Sequence, residues 1–292
     1  MPERESDDVP VDEREQHQRA IADHYGRTEL NEELLDALAD ADIDPSSITH
    51  EDVASVGEFH VRGRTATREL ADLAGFQPGT HVLDVGCGIG GPARTLAVEY
   101  GCRVTGIDLV ESYVETARRL TELVGLADSV DFRQADALSL PFEDNTFDAV
   151  VLQHVSMNVP TKDDLFRELG RVLSPDGTLS LYEICAGEVG KPFFPVPWAD
   201  DESISFLVAP DELISTAEAC GFAVRSRQNA TADGLAWFQN VMESAESQSA
   251  DAPPPPGPHL LMGEDAPEKM GNVVRNLETR RIEIVQLVFD AP

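Results

Sequence analysis

From residue 80 onward the chain alternates short apolar runs with amphipathic segments whose apolar positions recur every three or four residues. This is the pattern of βαβ units built on a parallel sheet. HVLDVG (81–86), RVTGIDL (103–109), SVDFRQAD (129–136), FDAVVLQHV (147–155), TLSLYEIC (178–185), FAVRSRQNAT (222–231) and RIEIVQLVF (281–289) read as seven strands. Between them Ala93, Leu96, Ala97 and Tyr100 share one helical face, and Val114, Ala117, Leu120 and Val124 share another. A third helix runs through Leu165, Leu169 and Val172 and stops at SPDG, and a fourth, PDELISTAEACG (210–221), is closed by Gly221. The order predicts an α/β fold, a mostly parallel seven-stranded sheet with helices on both faces, over residues 79–292.

Two stretches break the alternation. One is the Pro- and aromatic-rich KPFFPVPWADDESISFLV (191–208); the other, 233–280, holds a helix around 237–247, a PPPPG linker at 253–257 and a helix around 266–279. Ligands of open α/β sheets bind outside the carboxyl ends of the strands, so extra material there is expected to cap a pocket. Upstream, helical spacing over 16–26 and 30–41 (Leu34, Leu35, Leu38), then a segment helical up to Gly75, predicts an all-helical cover over 16–78. Residues 1–15 are charged and aperiodic and are expected to be disordered.

Charge changes the picture more than composition does. Fifty-four Asp and Glu stand against 22 Lys and Arg, only three of them Lys, for a formal net charge of −32 over 292 residues. Self-repulsion of that size calls for screening, and the Debye length falls from about 10 Å at 0.1 M salt to about 3 Å at 1 M. The acids run from end to end, so the surface reads as adapted to molar salt and as repelling nucleic-acid backbones and anionic membranes. No apolar run approaches the ~18 residues of a membrane span, and the amino terminus has no signal-peptide pattern, which makes cytoplasm the expected location. Cys87, Cys102, Cys185 and Cys220 form no CxxC pair, so neither a metal site nor a disulfide framework is expected. The chain is expected as a monomer or homodimer.

The candidate chemistry begins where the first strand runs into Asp84, Gly86, Cys87, Gly88, Ile89, Gly90 and Gly91. Gly86, Gly88 and Gly91 satisfy GxGxxG, a spacing shared with dinucleotide enzymes. Asp84 separates the two cases. A carboxylate two residues before the first glycine repels a pyrophosphate but suits a ligand with cationic groups and no phosphate, such as the sulfonium and ammonium of S-adenosylmethionine. Asp108 closes the second strand about 20 residues after the glycines, where a carboxylate accepts from ribose hydroxyls. Asp136 closes the third strand, placed to accept from an adenine amino group while the amide of Ala137 serves a ring nitrogen. Three acids around one glycine loop favour S-adenosylmethionine over NAD.

VLDVGCGIGGPAR, GIDL, QADALSLPFEDNTFDAVVLQHV and LGRVLSPDGTLSLYEI together resemble the successive motifs of class I S-adenosylmethionine-dependent methyltransferases, covering residues 80 to about 185. FHVRGRTATRELA and the HLLMG to VFDAP segment resemble more loosely the small-molecule branch holding sarcosine/dimethylglycine, tocopherol and quinone-ring methyltransferases. The resemblance implies a Rossmann-like fold in which Gly86, Gly88 and Gly90 line the methionine part of the cofactor, Asp108 the ribose, and Asp136 with Ala137 the adenine, with Leu109 a further cofactor-binding residue. It places Gln153 against the methionine and the substrate, and Tyr25 where an aromatic closes over the sulfonium. The sequence departs from the amine methyltransferases at QHVSMN (153–158).

Methyl transfer from a sulfonium needs positioning and water exclusion, and a base only where the nucleophile has a proton to lose. His154, Asn158, His60 and Tyr25 are the catalytic candidates, each with structural hydrogen bonding or packing as the alternative. Arg62 and Arg64 are candidates to pair with a carboxylate of cofactor or substrate, and Trp198, Phe193 and Phe194 to enclose a methylated ammonium. The expected activity is methylation of a small molecule, first of an amine or amino acid of the sarcosine or dimethylglycine type, a methylated osmolyte suiting a saline cell. The alternative is C- or O-methylation of a quinone, tocopherol-like or other lipid ring. An NAD-dependent oxidoreductase and a non-catalytic S-adenosylmethionine sensor are the readings from other classes.

Overall fold

The computed structural model describes residues 11–27, 30–41, 43, 47–247, 257, 259–263 and 265–292. Four helices, α1 (Val11–Tyr25), α2 (Leu30–Asp40), α3 (His50–Gly57) and α4 (Arg64–Ala74), precede the sheet. There follow β1 (His81–Val85), α5 (Gly91–Tyr100), β2 (Arg103–Asp108), α6 (Glu111–Leu123), β3 (Val130–Gln134), β4 (Phe147–Gln153), α7 (Lys162–Val172) and β5 (Leu173–Ala186). The chain closes with α8 (Pro210–Ala219), β6 (Ala223–Asn229), α9 (Thr231–Ser247), α10 (His259–Met262), α11 (Ala266–Glu278) and β7 (Ile282–Asp290). The strand order is β3-β2-β1-β4-β5-β7-β6. β1 to β5 pair in parallel, and β7 runs antiparallel between β5 and β6. This is the expected α/β class. Among the described residues no helix is long and apolar enough to cross a membrane.

Alternation along the central strands sorts their side chains into two layers. Val82, Ala149 and Val151 face a core shared with α4, α5, Trp198 and α11, whereas Leu83, Val150 and Leu152 face one shared with α7 and α8. A third cluster packs Leu30, Leu34 and Leu38 of α2 and Val53 and Val56 of α3 onto Ile89, Tyr113 and Leu120. The helical cover is thereby anchored beside the glycine loop. Its closest approach is at Gly91, where a Cβ would meet the Gly57 carbonyl at 2.2 Å, so only glycine lets the end of α3 reach the start of α5.

Four boundaries differ from the sequence reading. α1 begins at Val11, so residues 11–15 are helical rather than disordered; residues 1–10 lie outside the described part. α3 was not anticipated; its start is capped by Asp52, whose carboxylate accepts from the Thr49 amide (2.8 Å) and hydroxyl (2.6 Å). β5 starts at Leu173 rather than 178, taking in SPDG through a register shift opposite Phe147 and Ala149. α9 starts at Thr231, directly after β6, and most of the PPPPG linker lies outside the described residues.

Candidate active site

The carboxyl ends of β1 and β2, the loops after β3 and β4, and α1 enclose a cavity of about 1130 Å³ counted to its open mouth. The turn after β1 makes its floor. Gly88 sits at φ +53°, and a Cβ there would have nothing within 4 Å: it faces the cavity with bare backbone. The Gly88 amide donates to Asp108 Oδ2 and the Val110 amide to Oδ1, both at 2.9 Å, which fixes the carboxylate at the end of β2. Burial raises the Asp108 pKa, and these backbone donors oppose the shift. Each oxygen retains a lone pair for a hydroxyl donor.

Asp84 lies deeper, 2% exposed, with Oδ2 meeting no donor among the described residues. Burial, then the nearby Glu58 and Asp108 carboxylates, push its pKa up to about 8. Such a group gains from a cation beside it and gains nothing from a phosphate. Tyr113 adds a second buried oxygen without a partner on the same wall. Bare backbone at Gly88, a fixed Asp108 and an orphaned Asp84 oxygen fit the sulfonium nucleoside that the sequence implies.

Gly86, Leu109, Ala137 and Gln153 also line this cavity. Gly90 does not: a Cβ on it would come within 2.5 Å of the Phe132 ring and 2.8 Å of the Arg94 guanidinium, so this glycine serves the packing of the α5 start. Asp136 is present, but its Oδ2 accepts from Arg14 Nε (2.8 Å), Arg14 Nη2 (2.5 Å) and Gln18 Nε2 (2.6 Å), and Oδ1 from the Leu138 amide (2.8 Å). α1 is strapped across the end of the cavity expected to take adenine.

A second cavity, about 540 Å³, adjoins the first and shares Tyr25, Phe59, His60 and His154 with it. Pro197 and Trp198 of the 191–208 segment, Trp237 and Phe238 of α9, and Met270 and Val273 of α11 are among its walls. Both predicted caps therefore contribute to one pocket, and among the described residues no Asp, Glu, Lys or Arg lines it. Trp198 is buried and donates from Nε1 to Ser205 Oγ (3.0 Å). Phe193 is elsewhere, with the guanidiniums of Arg275 and Arg281 at 3.6 and 4.1 Å from its ring centre. The expected three-residue ammonium cage is not assembled. Arg62 pairs with Glu69, and Arg64 with Glu51 and Glu99, outside both cavities.

The four catalytic candidates do meet at the junction. Tyr25 OH donates to Asn158 Oδ1 (2.9 Å), and Asn158 Nδ2 donates to the carbonyls of Trp198 (2.9 Å) and Ile204 (2.8 Å). Asn158 is fully used in holding α1 and the cap segment, which makes it a positioning residue. His154, at φ +57°, stacks on Tyr182 with ring centres 5.2 Å apart, and burial holds its pKa well below the usual histidine value. His60 is neutral as well, brought down to about 4 by burial. Behind it lies Glu58, 2% exposed, which the sequence reading missed. The available signal was a lone acid inside the apolar run VASVGEFHV (53–61).

Residues 83–181 match the sequence model of the family described as "Methyltransferase domain". A sterol 24-C-methyltransferase of Gibberella zeae is 42% identical over 114 residues, 39% of this chain and 30% of that protein. The chain thus spans under a third of that relative's length. Geranyl diphosphate C-methyltransferase from Streptomyces coelicolor A3(2) superposes with a TM-score of 0.68 at 17% identity, over 99% of this chain and 100% of that one. A protein described as a sarcosine dimethylglycine methyltransferase, from Galdieria sulphuraria, superposes with a TM-score of 0.61 at 19% identity, over 78% and 85%. At those identities the two structures speak to fold alone.

Proposed function

We propose that the chain, whose residues 83–181 match the methyltransferase-domain family, transfers a methyl group from S-adenosylmethionine to an apolar small molecule, at carbon. One observation carries the reading: the cavity that shares Tyr25, Phe59, His60 and His154 with the glycine-loop cavity has no Asp, Glu, Lys or Arg in its lining among the described residues. Amino acids such as sarcosine need a counter-charge for their carboxylate, and a charge left unpaired in such a pocket is costly. An isoprenoid chain, sterol side chain or lipid ring asks only for burial, worth about 25 cal/mol per Å² of apolar surface. The name of the sterol 24-C-methyltransferase relative agrees with carbon as the methylated atom.

When bound, S-adenosylmethionine supplies the methyl group as a sulfonium whose bonding pair leaves with sulfur. Asp84 and the Gly86–Gly88 turn would hold its methionine part, Asp108 and Leu109 its ribose, and Ala137 its adenine edge. Gln153 lines the cofactor cavity and His60 both cavities, while Trp198, Ile184 and Val273 would keep water from the acceptor. Neutral histidines at the junction can take up a proton.

The test follows S-adenosylhomocysteine release and product mass with an unsaturated isoprenoid alcohol, a sterol, a quinol, sarcosine and dimethylglycine, in molar KCl. Product with a new C–CH₃ group is expected from the apolar set. Turnover on sarcosine or dimethylglycine alone overturns the reading.

A further inference from the structure

Glu58 caps the carboxyl end of α3 and is enclosed, its Oε1 accepting from Thr95 Oγ1 (2.6 Å) and Oε2 from Thr67 Oγ1 (2.8 Å). Oε2 stands 3.7 Å from His60 Nε2, with both side chains 2% exposed. The acid has no ion pair with Arg or Lys among the described residues; Arg94, buried nearby with Nε and Nη2 unpartnered, is the closest compensating charge. A buried carboxyl without a paired cation is costly and calls for a use.

The His60 tautomer follows from its surroundings. Nε2 lies 3.0 Å from the Gly63 carbonyl oxygen, which only accepts, so Nε2 carries the proton. Gln153 Nε2 stands 2.9 Å from the same nitrogen, so a protonated His60 Nε2 requires that amide turned to present its oxygen. No partner among the described residues meets Nδ1, and His60 lines both cavities. The protonated nitrogen faces the Gly63 carbonyl at 3.0 Å and Glu58 Oε2 at 3.7 Å, which leaves Nδ1 as the basic nitrogen of a residue that lines both cavities.

We propose that His60 Nδ1 accepts the proton that the acceptor loses on methylation, and that Glu58 is the positioning residue that stabilises the imidazolium so formed. This rests on carbon methylation. The acceptor's π pair forms the bond to the methyl carbon, the old S–C pair stays on sulfur, and an adjacent C–H pair re-forms the double bond. The proton moves to Nδ1, so the positive charge that arrived on sulfur ends on the imidazolium beside Glu58. The acceptor class narrows accordingly to alkenes and electron-rich rings with a proton to lose. A tertiary amine has none and needs no base.

The groups facing the pair are Thr67 of α4, His154 after β4, Tyr182 of β5, Arg94 of α5 and Asp84 of β1, with Arg64 at longer range. Burial and the opposing threonine bonds leave the Glu58 pKa near 7, so ionised acid is available at neutral pH.

Two measurements on the full chain test the pair. In protein carrying ¹⁵N-histidine, the His60 ring is expected as the Nε2–H tautomer with Nδ1 bare, and with protonation shifted to lower pH by Glu58→Gln. Glu58→Gln is also expected to lower kcat at least about tenfold, a loss of 1.4 kcal/mol, with the KM for the acceptor and cofactor affinity within threefold; Glu58→Asp recovers part of it. A bare Nε2, or wild-type kcat in Glu58→Gln, overturns the proposal. If the wild type methylates only amines, the function reading fails, while the tautomer still decides whether the pair is built as described. Should Glu58→Gln not fold, Thr67→Val, which removes one bond to the acid, takes its place.

Discussion

The Tyr25 hydroxyl donates to Asn158 Oδ1 at 2.9 Å, tying the last turn of α1 to the loop after β4. Because Asn158 Nδ2 also satisfies the Trp198 and Ile204 carbonyls, one side chain holds the cover and the cap segment together. Asn158→Ala strands two carbonyls, at about 1–3 kcal/mol for each that stays buried. It is expected to lower the thermal midpoint by several degrees and to weaken acceptor binding more than cofactor binding. Tyr25→Phe removes only the first bond, so a far smaller change is expected, about 1 kcal/mol. Equal losses in both variants, measured by calorimetric melting and acceptor titration, would count against this division.

Asp84 makes cofactor affinity pH-dependent, and the direction can be worked out. Its pKa stands near 8 through burial and the neighbouring Glu58 and Asp108. A cationic ligand beside it favours the ionised form, so below pH 8 binding must expel a proton. Affinity for S-adenosylmethionine is expected to rise from pH 6 toward pH 8 and to level off above. The linked proton release appears in calorimetry as a dependence on the buffer's ionisation enthalpy. For the protein alone the sign is opposite: a raised carboxyl pKa stabilises the fold at low pH, and that contribution is lost as pH climbs from about 4 through 8. Asp84→Asn is expected to abolish the proton release; unchanged release in that variant rules Asp84 out as its source.

What the sequence disclosed follows from how local each signal was. The glycine turn, Asp84 and Asp108 lie on adjacent strands whose period-2 pattern fixes which ends meet, so their convergence was readable from order alone. The strap from Arg14 to Asp136 was not, because the partners are 122 residues apart and α1 has Ile21 as its one buried apolar side chain among the described residues, leaving no stripe to read. Phe193 looked like a cage residue from its neighbours in the chain, yet Arg275 and Arg281 reach it from much later in the sequence. Glu58 went unread: the lone acid in the apolar run 53–61 was the local signal, but the Thr67 and Thr95 hydroxyls that enclose it come from α4 and α5. The acceptor pocket was half legible: its two sources were identified, but its lack of charge emerges only when they meet.

That lack of charge can be challenged directly at Met270, a partly buried wall of the second cavity. Met270→Glu puts a carboxylate into an apolar lining, where it must stay hydrated or become protonated. The kcat/KM for an isoprenoid or sterol acceptor is expected to fall more than about tenfold, equivalent to 1.4 kcal/mol, while S-adenosylmethionine affinity, set in the other cavity, is unchanged. Met270→Leu, conserving volume and polarity, is expected to stay near wild type. If Met270→Glu left apolar turnover intact, the acceptor would have to sit elsewhere.

Finally, the net charge of −32 predicts how the fold responds to salt. Many of the arginines are already engaged with acids, as Arg64 is with Glu51 and Glu99 and Arg171 with Asp144 and Glu168, and with 54 acids against 22 bases the excess carboxylates have only counterions to balance them. Repulsion among exposed acids weakens once the Debye length, about 10 Å at 0.1 M, contracts to about 3 Å at 1 M. The thermal midpoint is therefore expected to rise steeply up to about 1 M KCl and slowly beyond it. Sulfate at matched ionic strength separates screening from the added apolar burial that sulfate promotes. Reversing three exposed acids, Asp128, Glu143 and Asp176, to Lys reduces the size of the net negative charge by six and is expected to flatten the KCl curve without lowering stability in molar salt. A midpoint that ignores KCl in the wild type would mean that the acidic surface does not govern stability.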